Sequence, residues 1–126
     1  MKVRRKRTAA QEQQQQQQRR SVKEKMELIS TFDKDGYPTE ETLACVAALN
    51  PVETDPDEII DYLFSIWNWG NTMGRYNRET GCFTISTGGW SGNESIITAL
   101  EKSFFWMFYW YRSERGGHYW FEVKRP

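Results

Sequence analysis

At 126 residues the chain has room for one domain and not for two separate cores. Hydrophobic residues make up only 38% of it, yet aromatics reach 15%, and large aromatics bury the most area per residue, so a compact core is within reach. The formal net charge of zero hides a split: residues 1–25 hold nine Lys/Arg against two Glu (+7), and the rest hold eight against fifteen acids (−7).

Residues 1–20 are low complexity, a basic Gln-rich arm with almost nothing to bury. From Ser21, Val22, Met26 and Ile29 fall at i, i+4 and i+7, which predicts a short amphipathic helix before the turn cluster Asp33-Lys34-Asp35-Gly36. Thr39, followed by two glutamates, reads as an N-cap for a helix to about Leu49. Asp55-Pro56-Asp57-Glu58 is a stronger start signal, with a capping Asp and a Pro at the first helical position. The face Ile59, Ile60, Leu63, Phe64 and Trp67 follows it.

Residues 73–87 predict a hairpin turning at Asn77 to Gly81, with Phe83, Ile85 and Thr87 alternating against Cys82, Thr84 and Ser86. Ser91-x-x-Glu94 has the form of a capping box, opening a short helix with Ile96, Ile97 and Leu100 inward. Residues 104–112, apolar on both faces, predict a central strand, and their aromatic run is assigned to the core rather than to a nucleic-acid platform. A turn at Ser113 to Gly117 leads to a last strand, His118 to Val123, with Tyr119, Phe121 and Val123 facing one way. Helices early and strands late predict an α+β fold with a mainly antiparallel sheet. The organisation is then an arm over 1–20, an amphipathic helix and linker over 21–35, and a single domain over 36–126.

Several function classes lack their residues. Cys45 and Cys82 form no CxxC pair, and with a single His in the chain there is no zinc set, so both read as small buried hydrophobes of a reducing compartment. No metal or cofactor is expected. No apolar run reaches the ~18–20 residues of a membrane span, and no apolar stretch follows the charged start as in a secretory signal. The expected location is the cytoplasm.

Two loops carry the functional argument. Gly88-Gly89-Trp90-Ser91-Gly92-Asn93-Glu94 joins a strand to a helix N-terminus, where free N–H groups and the helix dipole favour an anion and Trp90 offers a planar ring for stacking. Against this, Ser91 and Glu94 are accounted for by capping, and Glu94 places a negative charge at the anion seat. The segment nearly reads as a nucleophile elbow, with Asn93 in place of the last glycine. In the second loop Arg112, Arg115 and His118 surround a Gly-Gly turn, and guanidinium groups beside an exposed Trp110 or Trp120 suit phosphate or an aromatic base, as they equally suit an ordinary solvated hairpin. The two loops are expected on one rim. The arm's Arg4, Arg5, Lys6, Arg7, Arg19 and Arg20 are the nucleic-acid candidates.

The pairing of Gly88-Gly89-Trp90-Ser91-Gly92-Asn93-Glu94 with Arg115-Gly116-Gly117-His118-Tyr119 resembles a family of small, uncharacterised tailed-bacteriophage proteins. The resemblance covers residues 54–123 and leaves out the arm. It implies a phage accessory protein acting in the host cytoplasm, in host takeover or counter-defence.

The leading expectation is a non-enzymatic binding protein for an anionic small molecule, a nucleic acid or a host protein, with no membrane partner. Its site would be Trp90, Ser91, Asn93, Glu94, Arg112, Arg115 and His118. The alternatives are a small hydrolase using Ser91 or Glu94 with His118, and an assembly protein that oligomerises through its N-terminal segment.

Overall fold

A computed structural model describes residues 27–68 and 70–124. Within them the chain runs α1 (Glu40–Ala47), α2 (Pro56–Ile66), α3 (Gly70–Met73), β1 (Gly74–Asn77), β2 (Cys82–Ser86), α4 (Ser91–Leu100), α5 (Phe104–Tyr109), β3 (Trp110–Glu114) and β4 (His118–Glu122). The four strands form one antiparallel sheet in the order β1-β2-β4-β3, an α+β architecture as the sequence pattern predicts. Among the described residues no helix is long and apolar enough to cross a membrane.

The first two helices start where their caps stand. The Thr39 hydroxyl accepts from Thr42 N, and the Asp55 carboxylate accepts from Asp57 N at 2.8 Å with Pro56 at the first helical position. Ahead of α1, residues 32–38 make a tight turn. Asp33 Oδ1 accepts from both Asp35 N (2.9 Å) and Tyr37 N (3.0 Å), and Phe32 bridges to Pro38.

One face of the sheet is the core face. Phe83 on β2 is its hub, fully buried, with ring contacts to Phe64, Tyr76, Phe105 and Phe121 at centroid distances of 5.6, 6.2, 6.3 and 5.3 Å. Ile59, Ile60 and Leu63 of α2 and Ile96 and Leu100 of α4 close the same core, all fully or nearly fully buried.

The structure corrects three expectations. Residues 104–109 are helical, and the strand that follows is at the edge of the sheet, with all five of its residues exposed. A continuous aromatic run carries no period of its own, so the local cap decides. The Ser103 hydroxyl accepts from Trp106 N at 3.1 Å, and the helix then aligns Phe104 with Phe108, Phe105 with Tyr109, and Trp106 with Trp110 at i, i+4. The run is therefore only partly core: Phe105 is fully buried, while Phe104, Met107, Phe108, Trp110 and Tyr111 are exposed. Second, Cys45 and Cys82 are half-buried rather than interior. Third, the amphipathic helix expected from 22 lies largely outside the described residues, and in its described part residues 27–30 are not helical. Ile29 N–H instead donates to Cys45 Sγ at 3.4 Å, and the Tyr62 hydroxyl donates to Ile29 O at 2.5 Å. The candidate cations of the arm likewise lie outside the described residues.

Candidate functional site

The Gly-Gly-Trp loop is built into the fold. Trp90 N donates to Thr87 O at 3.2 Å, and the indole stacks on Tyr37 at 5.1 Å and 27° while covering Gly92. A Cβ on Gly92 would lie 2.2 Å from the indole ring, so glycine there is a packing requirement. Ser91 does not cap α4: the N-cap position is Trp90, with no side-chain cap bond, and the Ser91 hydroxyl donates to the Tyr37 hydroxyl at 3.1 Å.

Asn93 is wholly buried. Its Oδ1 accepts from Asn68 N at 2.9 Å, and its Nδ2 donates to Asn68 O and Thr87 O, both at 3.1 Å. That amide ties the end of α2 to the loop and presents nothing outward. Glu94 is exposed on α4. Burial first, then the Glu101 and Glu94 carboxylates, raise the phenol of Tyr119 above its ordinary value. Tyr119 points to the core face of β4 and its neighbour His118 to the other, so Glu94 stands across the sheet from the imidazole.

The two loops do meet at one end of the sheet. Thr87 N donates to Gly117 O at 2.9 Å, and Gly117, at φ 79°, comes so close that a Cβ would lie 2.2 Å from Thr87 Oγ1. The side chains chosen from the sequence nevertheless separate to different sides. Trp90, Ser91 and Asn93 serve the helical layer, whereas Arg112 and His118 stand on the outer face of the sheet, and Arg115 is exposed in the turn.

That outer face is the arrangement the loops alone do not reveal. Arg75, Arg112, Glu114 and His118 are exposed on it, and Thr84, Ser86 and Trp120 are half-buried. Cross-strand partners project to the same side, so the registers define three rows, of which Asn77, Cys82 and Glu122 form one. Another runs Arg75 (β1), Thr84 (β2), Trp120 (β4), Arg112 (β3), and the next runs Ser86, His118, Glu114. The Arg112 guanidinium sits 4.7 Å from the centroid of the Trp120 ring and pairs with the Glu114 carboxylate. His118 Nδ1 lies 2.6 Å from Ser86 Oγ, and its ring centroid is 6.3 Å from that of Trp120. At the Arg75 end a shallow cleft of about 580 Å³ is lined by Arg75, Tyr76, Asn77, Thr80, Cys82 and Thr84.

Sequence reasoning picked Arg112 and His118, with Trp120 as one of two rings beside them, but missed Arg75, Thr84 and Ser86 as their companions. The signal was present in the alternation: in β2 and β4 the residues out of phase with Phe83, Ile85 and Phe121 are the members of this face. As for chemistry, the hydrogen-bond partner of His118 is Ser86 and that of Ser91 is Tyr37. The surface therefore offers a stacking ring, guanidinium donors, hydroxyls and an imidazole on one face of the sheet. No family model, curated protein or solved structure matches the chain.

Proposed function

We propose that this chain is a binding protein that takes single-stranded nucleic acid on the open face of its sheet. The observation that carries the reading is the row Arg75–Thr84–Trp120–Arg112, in which an indole and a guanidinium lie face to face on the central and edge strands. A base stacks on such a pair without regard to its identity, because every base has a π-face, and guanidinium groups supply charge-assisted bonds to phosphate. Flat four-stranded sheets with exposed aromatics read single strands in this way.

Charge favours the same division of labour. The face itself is nearly balanced, since Glu114 and Glu122 offset Arg75 and Arg112. Non-specific attraction would come from the arm, where residues 1–20 hold seven Lys/Arg against one Glu (+6). The setting proposed for this activity is the cytoplasm of a phage-infected host, a reading supported by the resemblance of the Trp90 and His118 segments.

The test is fluorescence anisotropy with a labelled oligothymidylate, because six tryptophans make intrinsic emission hard to assign. Affinity should fall as salt rises, and Trp120→Ala should weaken binding by roughly 1–3 kcal/mol, the value of one base–aromatic stack. Deleting residues 1–20 should flatten the salt dependence and leave the Trp120 effect in place. No binding at low salt, or a folded Trp120→Ala protein that binds like the parent, overturns the reading.

A further inference from the structure

The helix α5 has two apolar faces, and the fold uses one. Phe105 is fully buried and Trp106 and Tyr109 pack against the core, while Phe104, Met107 and Phe108 point outward at 51, 69 and 50% exposure. Trp110 and Tyr111, at 40 and 53%, continue this surface into β3. Phe104, Met107 and Phe108 stand at i, i+3 and i+4, one face of the helix. Phe104 and Phe108 already stack on each other, 6.1 Å apart. With each large side chain worth roughly 150–250 Å², the five residues expose about 500 Å² of contiguous apolar surface. A patch of that size is as large as the largest on a typical soluble monomer, and such patches are often functional.

We propose that the α5–β3 edge is the interface of a homodimer, in which a second copy of this chain pairs with β3 and covers the aromatic stripe. This goes beyond the nucleic-acid reading and does not depend on it. Three observations choose a second copy over another partner.

The first is area. About 500 Å² of apolar surface per copy supplies more than half of the roughly 800 Å² per partner that a standard stable interface buries, before any strand pairing is counted.

The second is the edge itself. β3 is the last strand of the sheet and all its residues are exposed, so its outer backbone groups are free to accept another strand. The irregularity between Trp110 and Arg112 lies in the pairing with β4, so residues 112–114 are the regular part of β3.

The third is charge, and it fixes the register. Arg112 and Glu114 project from one face of β3, two residues apart. Two copies paired antiparallel about Ser113 place Arg112 opposite the partner's Glu114 and Glu114 opposite the partner's Arg112. The four charges then alternate in a closed ring. Pairing about Arg112 would set like charges against each other, which is destabilising. The strand is thus complementary to itself, and a two-fold contact of this kind closes without leading to a filament. It would join two four-stranded sheets into one and make their outer faces continuous.

The test is the mass of the full chain in solution, by sedimentation equilibrium or light scattering. The expected result is twice the chain mass of 15.0 kDa. Met107→Glu, at a mostly exposed position, should halve that mass while circular dichroism still reports a folded chain. Arg112→Glu, which sets carboxylates opposite one another, should also give monomer, and the double exchange Arg112→Glu/Glu114→Arg should restore the dimer. A monomeric parent chain overturns the proposal, and so does a dimer that survives both Met107→Glu and Arg112→Glu.

Discussion

Asn93 separates a structural role from a ligand-binding one more sharply than any other residue of the Gly-Gly-Trp loop. Its side chain is fully buried, and its amide makes three hydrogen bonds, all to backbone groups of Asn68 and Thr87. Asn93→Ala removes all three: the N–H and carbonyl of Asn68 lose these partners, while Thr87 O keeps only the Trp90 N–H. At about 0.5–1.5 kcal/mol for each net bond, the expected loss is about 2–4 kcal/mol. For a domain of about 100 residues that is a fall in Tm of roughly 10–25 °C. Asn93→Asp is the informative companion. It keeps the acceptor for Asn68 N but turns a carboxylate oxygen toward Asn68 O and Thr87 O, where the amide had donated. At neutral pH it should be worse than alanine. Burial and the facing carbonyls would raise the new carboxyl's pKa, so the gap should close as pH falls and the protonated acid donates to one carbonyl. Urea unfolding at pH 7 and pH 4 measures both variants. An Asn93→Ala protein within about 0.5 kcal/mol of the parent, the scatter of neutral surface changes, would refute the clamp.

Two further outcomes follow from the same geometry. Gly117→Ala should destabilise by more than about 1 kcal/mol, since it forces an L-residue to φ 79° and drives its Cβ into Thr87 Oγ1, and thermal melts check it. Tyr62→Phe should cost about 1 kcal/mol at neutral pH by leaving Ile29 O without its donor. Burial above all, then the hydrogen bond and charge of Cys45, holds the Tyr62 phenol far above its ordinary value of 10.0. The folded state therefore keeps a proton that the unfolded chain releases, so this contribution is fully present below pH 10.0 and is lost as pH rises beyond it. Tyr62→Phe should flatten that alkaline loss, and an unchanged alkaline limb in urea titrations would show that other groups cause it.

The elements with strong punctuation were legible in the sequence. Thr39 and Asp55 mark their helices, the alternation about Phe83 and Ile85 marks β2, and the Gly-Gly turn marks the β3–β4 hairpin. Where punctuation was weak, the reading failed for a physical reason. Eight consecutive aromatic or apolar residues from 104 satisfy a strand and a helix equally, and only the Ser103 cap and the i, i+4 ring pairs decide between them. Ser91-x-x-Glu94 has the composition of a capping box, but the hydroxyl found a better partner in Tyr37, which the Asp33 turn delivers from more than fifty residues upstream. No local pattern encodes that contact.

The same contrast bears on where function resides. The loop that looks most distinctive as a sequence spends its unusual residues on folding: Trp90 lies on Tyr37 and Gly92, Ser91 bonds Tyr37, and Asn93 holds two backbone segments together. Its distinctiveness measures how many constraints meet there. The outer sheet face is the opposite case. Arg75, Arg112, His118 and Trp120 are ordinary residues at ordinary strand spacing, and no pair of them is adjacent in sequence. They become a surface only when the order β1-β2-β4-β3 sets their strands side by side. The fold does not depend on them, because the core closes on the other face through Phe83, Phe105 and Phe121. Truncating Trp120 or Arg112 should therefore change binding with little change in stability, whereas truncating Asn93 should do the reverse. That double dissociation assigns the binding role to the sheet, and a protein in which both sets of variants simply lost stability would take it away.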